Sequence, residues 1–149
     1  MNPTPEFLRQ TRQLADAGDP TAECNLGIFH ALGKGVPQDF LESAKWYSRA
    51  AEQGDAQAQH NLGVQFEKGQ GIPRDPHEAF RWFLRAAQQG HVPAQSKVAI
   101  AYGQGSGVEE NEVEALKWII IAAHGGHQEA AKFRETIVQR YSRSQVSER

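Results

Sequence analysis

The chain is dominated by a segment of 36 residues that occurs three times in tandem. The three units span residues 19–54, 55–90 and 91–126, and they align without a gap. Repeats of this length indicate a supersecondary unit that must stack on its neighbours to bury a shared apolar face. The recurring residues are Ala22/Ala58/Ala94, Leu26/Leu62/Val98, Gly33/Gly69/Gly105, Trp46/Trp82/Trp118, Ala50/Ala86/Ala122 and Gly54/Gly90/Gly126.

Each unit predicts two helices separated by a glycine-containing turn. In the first unit Asp19 is suited to cap a helix N-terminus, and Pro20 to occupy the first helical position. The Gly-x-Gly string that follows predicts the end of this helix, because glycine readily adopts the left-handed conformation found there. The second helix begins with a capping box, in which a cap side chain and a glutamate bond each other's backbone amides. The boxes are Asp39/Glu42, Asp75/Glu78 and Asn111/Glu114.

This pattern predicts an all-α protein, an α/α right-handed superhelical solenoid of helix-turn-helix repeats. A single domain is expected over residues 1–149. Residues 1–18 are expected to form an N-terminal capping helix and residues 127–142 a C-terminal one, because terminal repeats need a polar outer face. Residues 143–149 are predicted to be a frayed tail.

Composition excludes several classes of function. The net charge is −2, so no overall basic field would attract nucleic acid. The longest apolar run, residues 119–123, is far too short to span a bilayer, and the first residues have no apolar segment of signal-peptide length. A cytoplasmic protein without membrane insertion is therefore expected. The single cysteine excludes an intramolecular disulfide.

The Gly-x-Gly strings also occur in nucleotide-binding fingerprints. Such a fingerprint needs a strand before the glycines and the N-terminus of a helix aimed at phosphate after them. Here the glycines lie between two predicted helices in every unit, which favours a turn. No cofactor is expected.

Six histidines raise the question of a metal site. His124 and His127 are three residues apart, but no third ligand stands near them in the sequence. His60 stands alone on a predicted first helix. Solvated or packed histidines are therefore favoured, and no metal site is expected.

Two further features are weighed in the same way. Cys24 lies early in a predicted helix, beside the acidic Glu23 and without an evident base, so a small buried or surface-lining residue is favoured over a nucleophile.

The glutamates between residues 109 and 114 flank a helix N-terminus, where carboxylates interact favourably with the helix dipole. A solvated cap is favoured there over an acidic docking patch.

The string N-L-G at residues 25–27 and 61–63, and G-x-G-[VI]-P-x-D at residues 33–39 and 69–75, resemble the SEL-one-like repeat family. The motif A-A-x-x-G that ends each unit strengthens the resemblance. This family is a relative of the tetratricopeptide repeats, and its members look mainly like adaptors and scaffolds. Ser43, Ala99 and Glu109 depart from the pattern locally without putting the fold in doubt.

The resemblance implies a partner-binding surface, because in related solenoids the first helix of each unit lines the concave face. Ile28, Val64 and Ile100 recur at one repeat position and form an apolar stripe, which fits a groove and the core between paired helices equally well. Amides at Asn25 and Asn61 are able to bond a peptide backbone. The implied surface residues are Cys24, Asn25, Ile28, His60, Asn61, Val64, Glu67, Lys68, Ser96, Lys97 and Ile100.

The leading functional hypothesis is a protein–protein interaction module, an adaptor or scaffold that binds a protein or peptide segment on this concave face. No catalytic residues converge in the sequence, so an enzyme is not expected. The alternative is a β-lactam-binding or β-lactam-hydrolysing enzyme, which cysteine-rich members of the family imply. Those members look stapled by a cysteine pair in each repeat, whereas this chain has one cysteine. Weak self-association through apolar surface at the ends is a third expectation.

Overall fold

The computed structural model describes residues 1–125, 134–136, 138–140 and 142–143, and it is all helix and turn over these residues. Each helix packs against the next along the chain, and the first helices of repeats one and two also contact each other. No described helix combines the length and the apolarity needed to cross a bilayer. The helices with defined bounds are α1 Pro5–Asp16, α2 Pro20–Leu32, α3 Phe40–Glu52, α4 Ala56–Lys68, α5 Pro76–Gln88, α6 Val92–Gln104 and α7 Glu112–His124.

The predicted all-α solenoid of sequential helix pairs is confirmed. Helix α1 lies within residues 1–18, where an N-terminal capping helix is predicted, and α2/α3, α4/α5 and α6/α7 are the three pairs. Within the C-terminal helix predicted at residues 127–142, residues 134–136, 138–140 and 142 are helical, and the rest lies outside the described residues. Of the predicted tail only residue 143 is described, and it is helical. The handedness of the superhelix stays a prediction.

The starts and ends of the first helices follow the sequence signals. Asp19 accepts a hydrogen bond from the Ala22 amide at 3.0 Å, and Asp55 caps α4 in the same way. His91 caps α6 through a ring nitrogen. Helix α2 ends at Gly33, whose φ of 67° is left-handed, as the Gly-x-Gly signal predicts.

The capping boxes of the second helices form only in part. The side chain of Asp39 accepts the amide of Glu42 at 3.1 Å, as predicted. However, the backbone amide of Asp39 donates to the carbonyl of His30 at 2.8 Å, because the turn brings this helix end next to it. The predicted bond from the backbone amide of the cap residue to the glutamate side chain is therefore wrong. Each glutamate instead pairs with a lysine or arginine three residues later. The equivalent backbone bonds run from Asp75 to Phe66 and from Asn111 to Tyr102. The ion pairs are Glu42–Lys45, Glu78–Arg81 and Glu114–Lys117.

The two helices of a repeat cross closely where a glycine faces a ring. In the second repeat a Cβ atom at Gly63 would lie 2.7 Å from the Cε1 atom of Phe83, which is closer than carbon atoms approach. Gly27 meets the ring of Tyr47 in the same way. In the third repeat the glycine is replaced by alanine and the ring by isoleucine, at Ala99 and Ile119, which are buried in one cluster. The departure at Ala99 is therefore matched by a smaller partner.

A buried polar side chain recurs at the junction between repeats. Gln59 is 4% exposed; its Nε2 atom donates to the carbonyl of Ala51 at 3.1 Å, and its Oε1 atom accepts from Gln89 at 2.8 Å. Glu23 occupies the equivalent position in the first repeat, where the side chain of Gln53 donates to it. Burial raises the pKa of the Glu23 carboxyl, and nearby Arg49 opposes this rise. In these two repeats the buried polar side chain thus finds its partners within the protein.

The N-terminal helix α1 packs mainly against α2. Ala15 is buried like its repeat equivalent Ala51, whereas Leu14 is 54% exposed although its equivalent Ala50 is fully buried. A further ring, Phe7, packs edge-on against Phe29 of α2 with ring centroids 6.3 Å apart. The outer face of α1 therefore leaves apolar side chains in solvent.

The contact between Gly63 and Phe83 leads to a prediction. Gly63→Ala is expected to destabilise the protein by about 1–3 kcal/mol, because the added methyl overpacks against the ring. In a Phe83→Ile background the same substitution should be much less harmful, since this pair reproduces Ala99 and Ile119. Urea unfolding of the wild type, both single variants and the double variant measures the coupling.

Gly103→Ala serves as the matched control. Gly103 lies in helix α6, and the nearest atom to a Cβ added there is the Cβ of Ala115 at 3.9 Å. This variant should be stabilised by roughly 0.5–1 kcal/mol, since alanine is the better helix former. Additive effects of the changes at residues 63 and 83 would contradict the proposed close crossing.

Candidate partner-binding surface

The residues implied as a partner surface lie on α2, α4 and α6, the first helices of the three repeats. They differ in how far they reach solvent. Lys68 and Ile100 are exposed, and Cys24 is buried. The remaining eight are half-buried: Asn25, Ile28, His60, Asn61, Val64, Glu67, Ser96 and Lys97.

The apolar stripe belongs partly to the core and partly to the surface. Ile28 packs against the buried cluster that contains Tyr47, and Val64 packs against the cluster that contains Phe83. Ile100 at the equivalent position of the third repeat is 42% exposed. The stripe therefore fits both interpretations, core and groove, in part. Ile28 and Val64 support the helix pairs, and the stripe still presents apolar surface.

The amide of Asn61 is already engaged within the protein. Its Oδ1 atom accepts a hydrogen bond from Gln57 at 2.9 Å, and a ring nitrogen of His60 lies 3.3 Å from the same oxygen. The hydroxyl of Tyr47 also interacts with Asn61, although burial raises the pKa of that hydroxyl to about 12. Asn61 is therefore a structural residue of the second repeat as much as a surface amide.

An ion pair links the second and third repeats on this surface. The Nζ atom of Lys97 lies 2.8 Å from the Oε1 atom of Glu67, and the side chains are 32% and 39% exposed. The ammonium also lies 5.7 Å from the centre of the Phe83 ring, within the range of a cation–π contact. Because the two charges neutralise each other, the middle of the surface is close to uncharged.

A small cleft opens beside this ion pair. It is lined by Glu67, Lys97 and Ile100 together with Arg74 and Phe80. Its volume of about 40 Å³ has room for roughly three water molecules. Ligand pockets for small molecules are about ten times larger, so the cleft is suited to a single side chain of a partner.

The assignment of Cys24 to the surface is wrong. Cys24 is 4% exposed and lies in the apolar cluster with Tyr47 and Leu62. Burial raises the pKa of its thiol to about 12, and the carboxylate of Asp55 acts in the same direction. The residue is core, as the non-nucleophilic reading of the sequence allowed.

The histidines are arranged differently from what the sequence indicates. His60, expected to be isolated, has its ring centre 5.0 Å from that of His91 at the start of α6. The equivalent residues of the first junction, Cys24 and Asp55, also interact. A map of equivalent repeat positions is therefore the signal that could have found the histidine pair. His124 is exposed, and His127 lies outside the described residues. Among the described residues no group of three metal-ligating side chains is assembled.

The buried state of Cys24 predicts an unreactive thiol. At pH 8 the native protein should react with a thiol reagent on the order of 10³ times more slowly than a free cysteine, because the thiolate fraction falls with the raised pKa. The rate should rise to the free value in urea. As the control, a Lys68→Cys variant carries a thiol on an exposed position of α4 and should react at once. Rapid labelling of Cys24 in the native protein would contradict its placement in the core.

Known proteins resemble this chain in sequence and in structure. The Sel1 repeat matches residues 20–55, 56–91 and 92–127, one residue later than the units numbered from the helix caps. A search of curated protein sequences finds no significant match. A Sel1 repeat protein from Oxalobacter formigenes is 33% identical with a TM-score of 0.81, and the alignment covers 87% of this chain and 97% of that one.

Two other solved structures extend the comparison. One is c5321, a protective antigen of uropathogenic Escherichia coli strains that displays an SLR fold; it is 38% identical, with a TM-score of 0.82 over 83% of this chain. This chain spans only 27% of the length of that antigen. Helicobacter pylori cysteine rich protein B is 19% identical with a TM-score of 0.66, over 85% of this chain and 96% of that one, and shares the fold. The three matched repeats cover most of the chain, and the chain therefore belongs to the Sel1 repeat family.

Proposed function

We propose that the chain is a protein-interaction module that binds a segment of a partner on the surface formed by α2, α4 and α6, the concave face of the array. The observation that carries the proposal is the row of side chains at equivalent positions that runs across all three repeats and ends at the exposed Ile100. A continuous row of this kind matches an extended partner rather than a compact ligand. Membership of a repeat family whose modules generally mediate protein interactions supports it.

The chemistry of the surface indicates the kind of segment that fits. Ile28 and Val64 present part of their side chains, and Ile100 is 42% exposed, which favours apolar side chains on the partner. The neutralised pair Glu67–Lys97 gives no strong preference for either charge. An uncharged or weakly charged segment, with apolar anchors spaced to reach successive repeats, is therefore the expected partner.

The test is selection of peptides from a displayed random library against the wild-type chain. The selected peptides should bind an Ile100→Asp variant at least tenfold more weakly, because a carboxylate would have to be desolvated under an apolar anchor. Ile100 is exposed, so the variant is expected to fold. A second variant, Val64→Asp with Asn61→Ala, should abolish binding, with its fold checked by circular dichroism since both residues support the second repeat.

The matched control is Lys45→Ala with Arg81→Ala, two exposed side chains on α3 and α5 that pair with glutamates of their own helix. This double variant should bind the selected peptides like the wild type. Failure to select any peptide, or equal binding by the Ile100→Asp variant, would refute the proposed surface.

The same proposal holds that the module is not an enzyme, and two features support this. The cleft beside Glu67 and Lys97 has room for about three waters, so this part of the proposed surface does not enclose a β-lactam. The thiol of Cys24 is buried. A single buried, unpaired cysteine also suits a reducing compartment, so a cytoplasmic location remains part of the proposal.

A chromogenic cephalosporin separates this proposal from the β-lactam alternative. The wild-type chain should hydrolyse nitrocefin no faster than buffer does, and the substrate should not shift the melting temperature. A characterised β-lactamase in the same assay provides the positive control. Saturable hydrolysis by the purified chain would overturn the non-enzymatic proposal.

A further inference from the structure

The third repeat uses a different helix cap from the other two. Asp19 and Asp55 cap α2 and α4 with a carboxylate, whereas α6 is capped by His91. The Nδ1 atom of His91 accepts a hydrogen bond from the amide of Ala94 at 3.3 Å. Only a neutral imidazole has a nitrogen lone pair free for this role. A protonated ring could not accept the bond, and its positive charge would oppose the dipole of the helix it caps.

The ring of His91 lies against a second imidazole. The ring centres of His60 and His91 are 5.0 Å apart, with the planes inclined at 40°. The Nε2 atom of His91 lies 3.2 Å from the Oε1 atom of Gln57 on α4, so the neutral ring donates its one proton there. Both ring nitrogens of His91 therefore have partners that suit a single tautomer.

The charged groups around the two rings come from both packed helices. On α4 they are Asp55 at its N-terminus and Glu67, and on α6 it is Lys97, which is paired with Glu67. Burial lowers the pKa of His91, and Asp55 opposes this shift. Burial also lowers the pKa of His60, and both His91 and Lys97 add to that effect. A proton on either ring is thus disfavoured in the folded state.

We propose that the junction between the second and third repeats is a pH-sensitive joint, which loosens when protonation of His91 removes the cap of α6 and sets a cation against His60. The sign follows from the direction of the pKa shifts. Because both folded pKa values lie below the ordinary value of about 6.5, the unfolded chain binds protons first as the pH falls. The stability of the junction is complete above about pH 6.5 and is lost as the pH falls through the lowered pKa values. This proposal is independent of any partner.

The test compares the wild type with His91→Asn at pH 7.5 and pH 5.5. Asparagine is a good N-cap that does not titrate, and Asn111 already caps α7 in this chain. The urea midpoint of the wild type should be lower at pH 5.5 than at pH 7.5. This decrease should be less than half as large in His91→Asn. Hydrogen exchange of the Ala94 amide, corrected for its intrinsic rate, should lose at least tenfold in protection at pH 5.5 in the wild type only.

Two control variants define the role of each ring. His124→Gln removes an exposed histidine on α7 and should show the pH dependence of the wild type. His60→Ser introduces the residue that the third repeat has at this position. The decrease of its urea midpoint from pH 7.5 to pH 5.5 should lie between those of the wild type and His91→Asn. An equal decrease of the urea midpoint in the wild type and in His91→Asn, or unchanged protection of the Ala94 amide in the wild type, would overturn the proposal. Titration of the His91 ring by NMR in the wild type provides a check without substitution, and a pKa at or above the ordinary value would also overturn it.

Discussion

The close crossing of two helices within each repeat is the contact on which the rest of the structure depends. A ring on the second helix lies directly on a glycine of the first, at Gly27 with Tyr47 and at Gly63 with Phe83. Small residues are fully buried near the crossings, and α3 and α5 each pack against both the preceding and the following helix. Stability therefore comes from close approach of backbones as much as from large apolar side chains. The alanines at one such position, Ala50, Ala86 and Ala122, are each fully buried.

Differences between the repeats occur in pairs that contact each other. Where the third repeat replaces glycine with Ala99, the facing residue is the smaller Ile119. Where the first repeat has Ser43 in place of the alanine, its hydroxyl donates to the carbonyl of Gly27 at 2.7 Å and accepts from the side chain of Gln65 at 3.1 Å. A buried hydroxyl needs such partners because desolvation without them is unfavourable. At these two positions, therefore, a departure from the repeat pattern is accompanied by a partner that suits it.

Contacts between equivalent repeat positions also link the proposed surface to the junctions between repeats. The residue that precedes the Asn of the N-L-G motif on one first helix lies against the N-cap of the next first helix, as His60 does against His91. The surface that we propose for partner binding is built on these junctions, since Lys97 reaches from α6 to Glu67 on α4. The geometry of the surface consequently depends on how firmly the second and third repeats are joined. Glu67 and Lys97 thus belong both to the proposed surface and to the junction between the second and third repeats.

The sequence by itself determined the repeat, its helix pairs, the caps at Asp19 and Asp55 and the all-α solenoid, because caps, glycine turns and helical spacing are local signals that recur three times. Only the tertiary structure decided which side chains remain at the surface. Cys24 and the exposed Lys68 lie on equivalent first helices, yet Cys24 is buried by its packing against Tyr47 and Leu62. The contact of His60 with His91, and the amides of the second-helix caps that bond the preceding helix, likewise depend on how two elements meet. Local sequence sets which helices form, whereas burial and side-chain partners follow from the distance between helices, which no single segment encodes.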